Sequence, residues 1–160
     1  MPWHVLALLA NPYADMSSDI VATRDVAAAP AQVVAALADL HRAEALFDEG
    51  CVGAWEVGPR SSGEGATVDL RWTPGPMNRR LTVRVVDVDG ERKVVWEGEG
   101  PRGFFVYWRV AAAGDGSAVK VETPLLPPPW PVRGLFHHEV KPAWQACYEA
   151  ALARLDGVAR

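Results

Sequence analysis

The sequence is short of cysteine, of positive charge and of long apolar runs, and each shortage removes a class of protein. Cys51 and Cys147 are its only two cysteines in 160 residues, too few for the disulfide framework that staples small secreted domains. They read as buried free thiols in a reducing compartment, with a single bridge as the alternative; a cytoplasmic location follows from the first reading. Lys and Arg total 16 against 20 Asp and Glu, a formal charge of −4. A nucleic-acid binder carries a basic surplus, whereas Arg79-Arg80 is a bare pair, so no nucleic-acid partner is expected. No apolar run approaches the ~20 residues of a membrane helix, which argues against stable membrane insertion. There is no HExxH or CxxC spacing and no phosphate-loop glycine pattern, so neither a metal nor another cofactor is expected.

What the chain has in excess is tryptophan and proline: 7 Trp among 3 Tyr and 4 Phe, and 13 Pro. Trp buries more apolar area than any other side chain and keeps a polar N–H, so this many in one small domain implies a thick core or a cavity with aromatic walls. Hydrophobic residues make up 49% and charged residues 22%, an ordinary globular balance. The length fits one domain that buries about two-thirds of its unfolded surface.

Residues 1–15, MPWHVLALLANPYAD, stand apart as an N-terminal extension, and the domain proper is expected over 16–160. The apolar run from His4 to Ala10 lacks the basic start and the length of a secretory signal. Two other readings stand: a natural start at Met16, or an arm that docks on the body.

From Ile20 the pattern becomes regular. Ile20 to Val26 reads as a strand, and Pro30 opens a helix with Val33, Val34, Leu37 and Leu40 at helical spacing. Asp39 interrupts it, and His41 to Phe47 reads as a second short helix. Six strands follow at about 52–58, 65–73, 79–88, 92–98, 103–112 and 117–124. Their alternation is clean: Ala66, Val68, Leu70 and Trp72 oppose Thr67, Asp69 and Arg71, and Phe104, Val106, Trp108 and Val110 oppose Phe105, Tyr107 and Arg109. Turns at Asp89-Gly90, Gly98 to Arg102 and Gly114-Asp115-Gly116 join them as antiparallel hairpins. Leu125 to Pro131 is a stiff proline-rich bridge carrying Trp130, either a gate or membrane-touching lip at the entrance or a packed connector with Trp130 tucked under. A long helix at about 132–157 closes the chain, with Pro142 expected to kink or split it.

A sheet with one apolar face must be covered, and the last helix is the long amphipathic element that can cover it. The expected architecture is α+β: a curved seven-stranded antiparallel sheet gripping that helix, with two short helices after the first strand and a pocket left beneath the grip. The order and spacing of several segments carry a resemblance. They are Ile20-Val21-Ala22-Thr23 with Ala29-Pro30-Ala31-Gln32-Val33-Val34, then Gly63-Glu64-Gly65-Ala66, Val94-Val95-Trp96-Glu97-Gly98, and Gly116-Ser117-Ala118-Val119-Lys120-Val121. From Ile20 to Arg160 the chain resembles the SRPBCC superfamily, the START-like helix-grip fold, and within it the bacterial polyketide cyclase/dehydrase and lipid-transport group. The resemblance implies the fold well and the function poorly, because its members bind, carry or process many hydrophobic molecules.

Alternation places Leu70, Trp72, Leu81, Val83, Val85, Trp96, Phe104, Val106, Trp108 and Val121 on the concave face, opposite Phe136, Val140, Trp144 and Tyr148 of the last helix. Together they are the expected ligand-binding residues. No catalytic constellation is legible. The weak candidates are His137, as a general acid or base, and Tyr148, as a hydroxyl that orients a ligand carbonyl. His137 and His138 point about 100° apart on a helix, so one pocket does not take both, and the plain reading of His137 is a solvated helix start near the pocket mouth. Glu97, Arg109 and Glu122 read as a charge ladder on the outer face, with Glu56 and Asp69 also outside. The leading expectation is binding or transport of a lipid, polyketide or aromatic metabolite by a monomer or homodimer. The alternatives are a cyclase/aromatase-like enzyme and an interaction module like the chaperone-activator branch of the superfamily. That last reading entails a small or filled cavity and a large exposed apolar patch.

Overall fold

The computed structural model describes residues 17–100 and 103–160. The extension expected over residues 1–15 and the tip of the turn ending at Arg102 lie outside the described residues. The elements run β1 (Ile20–Val26), α1 (Pro30–Ala38), α2 (Leu40–Ala43) with a 3-10 turn (Glu44–Leu46), then β2 (Val52–Val57), β3 (Thr67–Trp72), β4 (Arg79–Asp89), β5 (Lys93–Glu99), β6 (Phe104–Ala113) and β7 (Gly116–Thr123). The chain ends in α3 (Trp130–Leu135), a π turn (Phe136–Val140) and α4 (Lys141–Ala159). The strands form one antiparallel seven-stranded sheet in the order β1-β7-β6-β5-β4-β3-β2. This is the expected α+β helix grip.

The first strand must reach across the sheet to pair with the last, and the helices after it close the end that this leaves open. Ala29, before α1, has no side chain with which to cap the helix. Gln32 supplies one acceptor, taking the Ala29 N–H at 2.9 Å, and Asp156 of α4 takes the Ala27 and Ala28 N–H groups at 3.1 and 3.0 Å. Asp156 thereby fastens the far end of the chain to the entry of α1. Its carboxyl is held below the usual carboxylate range, first by Arg160 and then by these backbone donors. Asp39, where the sequence breaks, caps α2 by accepting the His41 and Arg42 N–H groups, as short acceptor side chains do at helix starts.

Two irregularities bend the sheet. Between Val85 and Asp87 of β4 the register slips against β5, and between Gly53 and Glu56 of β2 it slips against β3. At the second bulge Ala54 takes a positive φ of 52°, a conformation that residues with a Cβ seldom adopt. Gly98 has the opposite task of leaving space: a Cβ there would stand 3.0 Å from the Phe104 ring.

Pro142 is absorbed rather than breaking the helix. The π turn before it lets the Lys141 N–H donate to the Phe136 carbonyl, a wider loop than the α-helical one. The extra residue relieves the clash a proline makes with the preceding turn. The bridge before α3 is also settled: Trp130 is 59% exposed and Leu126 91% exposed, so Trp130 is not tucked under a packed connector.

The cysteines correct the first expectation. Cys51 and Cys147 are not free thiols; they form a disulfide spanning 96 residues, with a Cα–Cα distance of 5.9 Å. It ties the turn before β2 to the middle of α4. The fold brings together two residues that sequence distance keeps apart, and the bond removes the support that free thiols lent to a reducing compartment.

Candidate functional site

The concave face of the sheet and α4 enclose an apolar space lined by Phe47, Val52, Trp55, Leu70, Trp72, Leu81, Val83, Trp96, Phe104, Val106 and Tyr148. The structure brings eight of the expected residues to this wall: Leu70, Trp72, Leu81, Val83, Trp96, Phe104, Val106 and Tyr148. Val85, Trp108, Val121 and Trp144 are buried in the same core but do not line the space, and Phe136 and Val140, partly buried, pack against that core without lining the space either. Three lining residues went unassigned in the sequence. Strict alternation from Val52 turns Trp55 to the outer face; the bulge at Ala54 inverts the phase, so Trp55 and Phe47 stack at 6.1 Å inside the grip. The available signal was the small pair Gly53-Ala54 followed by apolar Trp55 and Val57 on either side of Glu56.

The expected pocket is nearly full. The cavity holds about 20 Å³, room for a single water by the ~10–15 Å³ that one requires. The aromatic side chains interlock across it: Trp72 meets Trp144 edge-on at 5.5 Å, Phe104 meets Trp144 at 5.1 Å and Trp96 meets Trp108 at 5.1 Å. Edge-to-face packing at these separations is the favourable arrangement of aromatic rings.

The polar atoms in this apolar setting divide into two groups. The Trp96 indole N–H donates to the Leu37 carbonyl at 3.0 Å, and that of Trp55 donates to the Leu40 carbonyl at 2.9 Å. The Leu37 carbonyl lies in the last turn of α1, where acceptors have no partner inside the helix, and Leu40 is the first residue of α2. The Trp72 and Trp108 indole N–H groups are buried with no hydrogen-bond partner among the described residues. Trp144 points its N–H toward the Tyr148 hydroxyl without closing a hydrogen bond of good geometry. Tyr148 and Thr123 share a hydrogen bond at 2.5 Å. Burial pushes the Tyr148 hydroxyl well above its usual range, against the pull of that bond. It therefore stays protonated, suited to donating a hydrogen bond rather than to accepting a proton.

His137 lies elsewhere. It is 7% exposed, not a solvated helix start, and it borders an open groove with Lys141, Pro142, Gln145 and Glu149 on the outer side of the helix. Burial lowers its pKa, and the charges of Lys141 and Arg133 lower it further, so the ring is neutral near pH 7. His138 is exposed, as the divergence of adjacent helical side chains requires. The structure does not bring His137 and Tyr148 to one site.

The outer face of the sheet carries the charges, in a different pattern from the one expected. Arg109 pairs with Glu122 at 2.9 Å, Lys120 joins the same carboxylate at 3.6 Å, and Arg84 pairs with Glu99 at 2.9 Å. Glu97 makes none of these ion pairs, because Arg84 reaches past it to Glu99. Glu56 and Asp69 lie outside, bordering an open groove with Arg71 and Arg80.

Comparison with known proteins agrees with this geometry. No curated protein matches the sequence. Among solved structures, the chain is similar to the KanY protein at 23% identity, with a TM-score of 0.76 over 89% of this chain and 97% of that one. It is similar to TTHA0849 of Thermus thermophilus at 20% identity, with a TM-score of 0.70 over 88% and 96%. It is also similar to an Aha1 dimer of Colwellia psychrerythraea at 12% identity, with a TM-score of 0.60 over 86% and 92%. At these identities the structural likeness establishes the fold alone. The sequence match is more specific. It covers residues 18–160, nearly all of the described chain, and by it the protein belongs to the polyketide cyclase/dehydrase and lipid transport family.

Proposed function

We propose that the chain binds a hydrophobic small molecule, a lipid, polyketide or aromatic metabolite, between the concave sheet face and α4. One observation carries this reading: Trp72, a wall residue of an apolar, aromatic-walled space, has a buried N–H with no hydrogen-bond partner among the described residues. An unpaired buried donor costs about 1–3 kcal/mol. A ligand acceptor placed against it recovers that cost, while the rings supply flat contact area at about 25 cal/mol per Å². Since the cavity of about 20 Å³ does not hold such a molecule, binding requires the side chains around it to move apart. The titratable group on the wall is Tyr148, whose hydroxyl stays protonated. This favours a carrier or sensor over a cyclase, with Tyr148 orienting a carbonyl rather than moving a proton.

The test is native mass spectrometry of the chain purified and kept reduced, followed by denaturing extraction. The expected result is a species heavier than 17.3 kDa that releases a lipid or an aromatic compound. A bare chain that takes up no apolar probe when titrated contradicts the reading.

A second reading is favoured by a different observation. Leu126, Trp130, Val132 and Leu135 are all exposed along the bridge and α3. An exposed apolar ridge together with a nearly filled cavity is what an interaction module presents. Under that reading the chain stays bare, takes up no probe, and meets a partner protein through this ridge.

A further inference from the structure

We propose that the Cys51–Cys147 disulfide is a redox lock on the cavity: oxidised, it holds the cavity shut, and reduced, it lets a ligand in. The inference rests on the binding reading above and adds its regulation. Each cysteine immediately precedes a wall residue, Val52 on β2 and Tyr148 on α4. The segment from Phe47 to Trp55 supplies three lining side chains and forms one side of the space.

This side is also an edge of the sheet. β2 is an edge strand, paired on one side by β3 and interrupted by the bulge. Among the described residues, the segment from Phe47 to Trp55 is further held by the Trp55 bond to the Leu40 carbonyl, the Thr73 N–H bond to the Cys51 carbonyl, an exposed Asp48–Arg154 pair at 3.7 Å and the ring contacts of Phe47 with Trp72 and Trp96. The disulfide is the covalent link from this segment to α4. With it closed, Phe47 is held against Trp72 and Trp96 with Trp55 stacked on it, and the space holds about 20 Å³.

Opening the lock requires a dithiol reductant. Its thiolate attacks one cysteine sulfur, the S–S bond breaks, and the mixed disulfide resolves as the reductant's second thiolate closes its own disulfide. Two electrons and two protons end on Cys51 and Cys147. The freed segment then moves away from α4 without breaking any strand pair other than β2 with β3. Apparent affinity scales with the fraction of molecules that are open, so the redox state sets the affinity.

The experiment titrates the full chain with N-phenyl-1-naphthylamine, a neutral apolar fluorophore, in three states. These are the oxidised chain, the chain reduced by dithiothreitol with both thiols counted, and the Cys51→Ser/Cys147→Ser variant. Near-ultraviolet circular dichroism of the tryptophans is recorded for each. The expected result is saturable binding at least about tenfold tighter in the reduced chain and in the variant, with the tryptophan signal retained and weak binding restored on reoxidation. Equal affinity in all states, or tighter binding when oxidised, overturns the lock while leaving the binding reading intact. Loss of the tryptophan signal on reduction overturns it by making the bond a condition of folding. Absence of binding in every state overturns the binding reading, and the lock with it.

Discussion

The two ends of the aromatic cluster are built from the same residue type and do opposite things. At the end beneath α1 and α2, Trp55 and Trp96 give their N–H groups to the Leu40 and Leu37 carbonyls of those helices. Each pairing gives an indole donor a backbone acceptor, so these rings hold the short helices to the sheet. At the end beneath α4, Trp72 and Trp108 are as deeply buried as Trp96 and have no such partner among the described residues. Burial alone therefore does not separate a structural tryptophan from one available to a ligand; the fate of the indole N–H does.

The largest effect expected within this contrast comes from the bond that holds the two ends together. Reducing Cys51–Cys147 releases a constraint across 96 residues, which the chain-entropy account values at about 4–5 kcal/mol. Urea unfolding of the oxidised and reduced chains checks it, as a fall in midpoint. Next, Trp96→Phe is expected to cost about 1–3 kcal/mol more than Trp72→Phe. Both variants lose the same ring area. Only the first leaves a carbonyl, that of Leu37, without its donor, whereas the second removes an N–H that had no partner. Equal costs for the two variants would erase the distinction between the ends.

A smaller effect comes from His137, outside both ends. Its folded pKa lies below the ordinary 6.5, so above that value neither the folded nor the unfolded chain carries the proton and the group contributes nothing. As pH falls below it, the unfolded chain takes up a proton that the folded chain resists, and stability declines. Urea midpoints between pH 7 and 5 should fall for the native sequence and fall less for His137→Asn. The smallest effect belongs to the outer face. Arg109 is half exposed and pairs with Glu122, so Arg109→Ala is expected to cost no more than about 1 kcal/mol. Glu122 is held below the usual carboxylate range, chiefly by its Arg109 hydrogen bond. What stability the pair gives is present at neutral pH and is lost as pH falls through that lowered value.

Most of the sheet was legible because alternation is a local property. Val68, Leu70 and Trp72, or Phe104, Val106 and Trp108, announce which face they bury. What alternation does not carry is phase across a bulge, and this is why Trp55 was assigned to no wall: the slip at Ala54 comes from backbone geometry between two small residues. Nor does it carry volume. It gives the direction of each ring but not how far Phe47 and Trp55 reach across, so the pocket expected beneath the helix is nearly filled. The disulfide was hidden for a related reason, since the closeness of Cys51 and Cys147 is created by the grip itself. His137 was misread because the π turn and its packing, not the charge of its neighbours in sequence, decide its exposure.

The most direct test of the account follows the indole N–H resonances by 1H–15N NMR while the reduced full chain is titrated with 2-acetylnaphthalene, a neutral aromatic ketone. The account predicts a saturable downfield shift of the Trp72 N–H as it donates to the ketone oxygen, with the Trp96 and Trp130 N–H resonances little changed. A shift confined to exposed Trp130, or no saturable shift at all, contradicts it.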